Sequence, residues 1–253
     1  MPPGMMNRIF LWMSLLLGAA AYGQDKNQGV VTYERVTKWS KLYARLTFLS
    51  QEEKDRIANT WKNDDEAKEK MKLVFSPDRS LYTYLSEQGE SEDGQWAWRN
   101  SEFKVYRDFA AERALEIHEM LGRSYVLDDS LPQPKWKVLN QLKDIAGYVC
   151  MKAETFDPVK NQKVVAWFAG DLANPAGPER SFGLPGLIME LDINDGDVVI
   201  TATGVVFKDV AKELAYPKLK GRKIKNADYD KLLSDHIRDS MKAYRNPYWA
   251  IRY

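Results

Sequence analysis

The sequence predicts a mainly β protein: an antiparallel meander or open half-barrel sheet with a helical insertion and a C-terminal helix. Three observations predict it. Short apolar runs recur along the chain between Gly, Pro and Asp clusters, as strands joined by turns require. No long helical periods alternate with them, which argues against a parallel βαβ sheet. Aromatic residues make up 12% of the 253, with eight Trp and thirteen Tyr, types that suit half-buried sheet surfaces. At 44% hydrophobic and 29% charged the composition is globular, and one domain over residues 24–253 is expected.

Residues 1–23 read as a secretory signal peptide. Arg8 supplies the positive start, Ile9 to Leu17 an apolar run, and Ala21 and Gly23 the small residues before a cut ahead of Gln24. The run is shorter than the roughly 20 apolar residues that cross a bilayer, and the mature chain shows no transmembrane segment. The expected location is the periplasm or the exterior. Removing that segment takes away Arg8 and no acid, so 37 Lys+Arg against 36 Asp+Glu becomes an even balance. A neutral chain is a poor candidate for nucleic acid, whose binding needs a basic surface. A single cysteine, Cys150, excludes an intrachain disulfide. Its apolar setting, Ile145 to Met151, predicts a buried structural thiol.

The mature chain opens with a strand from Val30 to Val36 and a second around Tyr43 to Phe48. Ser50-Gln51-Glu52-Glu53 has the form of a capping box, and the charged stretch that follows makes residues 51–70 a surface helical insertion broken near Asn63-Asp64. Lys70 to Phe75 and Leu81 to Leu85 flank Ser76-Pro77-Asp78-Arg79 as a hairpin. Glu87 to Gly94 is a polar loop. Further strands are expected at Phe103–Arg107, Ala114–Met120, Ser124–Leu127, Trp136–Leu142, Tyr148–Thr155 and Lys163–Phe168.

Leu184-Pro185-Gly186-Leu187 has the residues of a type II turn, with Pro second and Gly third. The strand Leu187 to Ile193 follows, then Asp195-Gly196 as a two-residue hairpin turn and a return strand from Val198. A phosphate cradle would need a helix after the glycines, and a strand follows instead. Asn226 is a fair cap for a last helix whose stripe is Tyr229, Leu233, Ile237, Met241 and Tyr244. Asn246-Pro247 stops it, and the aromatic tail Tyr248 to Tyr253 adds or covers an edge strand.

Gly183 to Ile188 spells GLPGLI, and the chain resembles the GLPGLI family of exported proteins from Bacteroidetes. Trp136 to Leu139, Ile145 to Ala153, Ala166-Trp167-Phe168, and Asn174 to Pro178 are similar to that family's other ordered elements. The resemblance implies a largely antiparallel β cell-envelope protein with no assigned activity. It also implies an envelope protein partner, of which a TonB-dependent outer-membrane receptor is the example that the resemblance offers.

Chemistry is sparse. With two histidines, His118 and His236, a His-rich metal centre is excluded. On a strand, Glu116, His118 and Met120 share a face; with Cys150 or Met151 they would form a soft set suited to copper, against the plainer reading of a polar face with one Met. Ser181 lacks the G-x-S-x-G frame, and Cys150 has no basic neighbour. The pairs Asp64-Asp65 and Asp128-Asp129 read as surface charges. Trp136, Tyr148, Trp167 and Phe168 either line an apolar cavity or fill the core. The expectation is therefore a non-enzymatic envelope binding or accessory protein with no cofactor. Its binding surface is placed on the Pro-Gly loop, at Asn174, Pro175, Gly177, Pro178, Gly183, Leu184, Pro185, Gly186 and Leu187, since such loops on a rigid sheet serve recognition. The alternatives are a copper-handling protein using His118, Met120 and Cys150, and a carrier of a small apolar ligand or peptide.

Overall fold

The computed structural model describes residues 26–86, 88–90, 96–98, 102–132, 134–216 and 220–253. The leader pattern lies outside the described residues. Among the described residues fourteen strands form, twelve of them in one sheet. They are β1 (Gly29–Lys38), β2 (Glu66–Phe75), β3 (Arg79–Tyr84), β4 (Gln88–Glu90), β5 (Trp96–Trp98), β6 (Lys104–Asp108) and β7 (Arg113–Met120), then β8 (Arg123–Ser130), β9 (Lys137–Ile145), β10 (Tyr148–Asp157), β11 (Gln162–Ala169), β12 (Leu187–Ile193), β13 (Val198–Phe207) and β14 (Arg222–Ile224). The order across the sheet is β14-β8-β7-β6-β3-β2-β1-β13-β12-β11-β10-β9, and β4 pairs with β5 apart from it. All pairs are antiparallel except β14 with β8. The expected open, mainly antiparallel sheet with a terminal helix is what the chain forms.

β1 is the axis of the sheet. Its residues alternate buried and half-buried along all ten positions, and β2 and β13 flank it. Val31 and Tyr33 face inward with Leu73, Tyr82, Val105, Ile200 and Leu191 in the main core. The neighbours Val74, Leu81, Tyr106, Leu115 and Val126 point the other way, where Val210 and Leu214 of the segment after β13 cover them. Two covered faces explain why β2, β3 and β6 contain unbroken buried runs rather than clean alternation. The helix α3 (Asn226–Lys242) lays Tyr229 and Leu233 on Met120, Tyr125 and Leu127. Among the described residues no helix is long and apolar enough to cross a membrane, which says nothing of crossing by strands.

Several local expectations are corrected. The strand expected at Tyr43–Phe48 is a short helix, α1 (Trp39–Ala44), followed by turns. Leu42 and Leu46, four residues apart, are the buried pair, and Asp65 fixes the helix start by accepting from Ser40 N and Oγ, both at 2.6 Å. Ser50 and Glu53 do form the capping box of α2 (Gln51–Thr60). The insertion stops there, because Glu66 to Lys70 belongs to β2, paired with β1 from Lys38↔Glu66 onward. Charged residues on both faces of that strand end hide its period. Within the expected loop at Glu87–Gly94, Gln88–Glu90 pairs with Trp96–Trp98.

The type II turn does not form, because Gly183 and not Gly186 carries the left-handed backbone (φ 88°). Gly186 is required for another reason: a Cβ there would collide with the Ala169 carbonyl. The hairpin after β12 is a four-residue loop, Asn194 to Asp197, whose first three residues are all left-handed, with Ile193 opposite Val198. Asn226 is the first residue of α3 rather than its cap, and Asp129 of β8 accepts from its N–H at 3.1 Å. Tyr244 points to solvent. The tail makes a single 3-10 turn (Pro247–Trp249) and then buries Tyr253, instead of pairing as a strand.

Candidate functional site

The inner face carries charged residues at positions where strand alternation calls for apolar ones. β1 places Arg35 inward after Val31 and Tyr33. Opposite it on β2 is Glu69, with Nη1 to Oε2 at 3.2 Å. Further along the same face, β6 supplies Arg107 and β7 supplies Glu116, 3.6 Å apart and both almost fully buried. His118, two residues on, brings Nε2 to 2.8 Å from Glu116 Oε2, with its ring stacked on Tyr229 and tilted against Phe103.

Two residues of the β11–β12 connection complete this layer. Glu179, in left-handed backbone (φ 53°), meets Arg252 of the tail in a two-point contact at 2.7 and 2.8 Å, with Arg35 Nε at 3.4 Å. Arg180 turns to Glu116 and Asp230, both at 2.9 Å. The Arg252 guanidinium also lies 4.1 Å over the Phe103 ring. Charges buried in this way persist only when paired. Burial alone would raise the Glu179 carboxyl, but Arg252, then Arg35 and Lys160, hold it below the usual carboxylate range. Burial also opposes ionisation of Glu116, and Arg180, His118 and Arg107 outweigh it. Arg107 is pushed down to about 10 by burial, against the pull of Glu116. Burial lowers Lys160, whose Nζ reaches the Arg252 carbonyl at 3.3 Å.

The tail stands off from the sheet and leaves a cleft of about 490 Å³. Arg35, Glu69 and Tyr84 form its floor, and Trp39, Tyr248 and Trp249 its rim. The Trp39 and Trp249 rings meet edge to face at 6.3 Å, and Trp249 remains 69% exposed. Aromatic walls over a floor of fixed charges can hold an amphiphilic ligand and orient its polar group. Among the described residues the histidine hydrogen bonds run from His118 to Glu116 and from His236 to the Pro247 carbonyl, so neither joins a nucleophile to a base.

The Pro-Gly loop is turned into the molecule. Asn174 is buried, donates to the Ser76 carbonyl at 2.8 Å and accepts from Ala176 N at 3.0 Å. Gly177, Pro178, Leu184, Gly186 and Leu187 are buried, Pro175 is half-buried, and only Gly183 and Pro185 are exposed. These nine residues shape the wall that delivers Glu179 and Arg180 rather than an outward surface. His118, Met120 and Cys150 are not gathered either. Met120 packs with Tyr125 and Leu127, whereas Cys150 lies in the main core on β10, with seven strands between it and β7 in the sheet order. Among the described residues no group of three or more His, Cys, Asp or Glu is placed to hold a metal. Phe168 is core, and Trp136, Tyr148 and Trp167 pack against it.

The cleft residues Trp39, Glu69, Tyr84, Trp249 and Arg252 escaped the sequence reading. One signal was present: Val31, Tyr33, Arg35 and Thr37 share a face of β1, so the alternation that buries Tyr33 also buries a guanidinium.

Residues 157–190, which include Gly183 to Ile188, match a family described as a protein of unknown function (Porph_ging). Two crystal forms of PNGF-II are similar in fold. The P21 form has a TM-score of 0.54 at 13% identity over 82% of this chain and 33% of that one. The C2 form has a TM-score of 0.52 at 12% identity over 81% and 32%. The chain thus spans about a third of the length of those structures, and the likeness shows the fold alone. No curated protein matches the sequence.

Proposed function

We propose that this chain is a non-enzymatic binding protein of the cell envelope that holds an amphiphilic ligand in the cleft between the sheet and the tail. The observation that carries the reading is the cleft itself: Trp39, Tyr84, Tyr248 and Trp249 stand around Arg35 and Glu69, whose charges are already paired. Paired charges on a rigid sheet provide fixed polarity at which the polar end of a ligand can be oriented. The envelope assignment rests on the leader pattern and on the GLPGLI resemblance. A TonB-dependent receptor is the partner that the resemblance offers.

The reading moves the binding surface from the Pro-Gly loop to the cleft, and paired variants separate the two. Trp249→Ala removes an exposed cleft wall, and Pro185→Ala alters an exposed loop residue. Ligand retained on purification should be lost from the first and kept by the second. Loss from Pro185→Ala alone would return recognition to the loop.

A further inference from the structure

Behind the cleft lies a chamber of about 90 Å³, with room for about three waters or one small polar group. Phe103, His118, Tyr229, Arg252 and Tyr253 line both spaces, so the two share a wall. Two donors in the chamber wall have unused capacity. Gln162 is 2% exposed and its Nε2 is buried with no partner. Lys160 carries three N–H donors, and the Arg252 carbonyl is the acceptor within reach of its Nζ. An unmet donor in a buried space, as Gln162 Nε2 is, is costly and points to an acceptor that belongs there. Arg252 is paired with Glu179 and Arg180 with Glu116 and Asp230, whereas among the described residues the Lys160 ammonium hydrogen-bonds to a carbonyl rather than a carboxylate.

We infer that the chamber receives a single carboxylate, accepting from Lys160 Nζ and Gln162 Nε2, while the apolar or aromatic body of the same ligand lies in the cleft. The inference rests on the cleft being the binding site, and it names the ligand class: an amphiphilic monocarboxylate, either a peptide C-terminus or a free organic acid. A neutral amide of the same shape keeps one acceptor oxygen, turns N–H groups toward the other donor and loses the charge-assisted bond to Lys160.

Matched probes test this on the full chain. Titration calorimetry would compare 4-phenylbutyrate with 4-phenylbutyramide, and acetyl-Ala-Phe acid with its C-terminal amide. At least one acid should bind, and its amide should bind at least about tenfold more weakly, the difference expected of charge-assisted hydrogen bonds. Which acid binds separates a free acid from a peptide end. Gln162→Leu and Lys160→Met should each erase the preference, and the wild-type comparison stands if either variant fails to fold. Equal binding of acid and amide would overturn the carboxylate assignment and leave the cleft reading intact. No binding of any probe would overturn the assignment too, and a cargo found by mass spectrometry would then sustain the cleft reading alone.

Discussion

Arg252 and Glu179 meet in a two-point ion pair at 2.7 and 2.8 Å, joining the tail to the loop that carries the Gly183–Ile188 motif. They are 73 residues apart in the chain, and each is held by a second partner, Glu69 and Arg35 respectively. This contact sets the cleft, since it fixes the tail above the sheet.

Breaking the pair from one side strands a charge. Glu179→Leu should lower unfolding stability by about 3–5 kcal/mol at pH 7, measured by urea titration. Glu179→Leu combined with Arg252→Met should cost clearly less than the sum of the single changes. Additive losses would mean that the two side chains do not act as a unit.

The same layer predicts acid sensitivity. Glu179 and Glu116 titrate below their ordinary value, so their contribution is complete above the unfolded carboxyl value of about 4.3 and is lost as pH falls through the lower folded values. Thermal midpoints should therefore hold from pH 7 to about 5 and drop steeply below about 4. Glu179→Gln should flatten that drop. An unchanged profile in the variant would remove Glu179 from the account.

Gly186 is read as a packing requirement rather than a turn requirement. Gly186→Ala drives a methyl into the Ala169 carbonyl and should cost about 1–3 kcal/mol, whereas the exposed Pro185→Ala should stay within about 0.5 kcal/mol. Equal effects in denaturation midpoints would undo the distinction.

Burial pushes the Cys150 thiol up to about 11, helped by Asp144 and Glu190. At pH 8 a thiol-reactive disulfide reagent should leave the folded protein nearly unmodified and label one thiol once urea unfolds it. Fast labelling of the folded chain would show an accessible site on β10.

Much of the fold could be read in the sequence and little of the site could. β1, β12 and β13 were legible because apolar alternation is a local property. The first half of β2 was not, since Glu66 to Lys70 carries charge on both faces and one of them, Glu69, is there to meet Arg35. The cleft depends on pairings such as Arg35 with Glu69 and Arg252 with Glu179, which unite distant segments. The burial of the Pro-Gly loop was not legible for a related reason: proline and glycine mark an irregular backbone but do not say which side of it faces water. Here Asn174 ties the loop inward to Ser76, and the recognisable motif supports a site that it does not line.

The account's central claim, that the cleft holds a ligand, is tested most directly by native mass spectrometry of the protein purified from its native source, before and after mild denaturation. It predicts a co-purifying mass that leaves on denaturation and is absent from the Trp249→Ala variant. A bare chain in both samples, or a cargo that Trp249→Ala keeps in full, would contradict it.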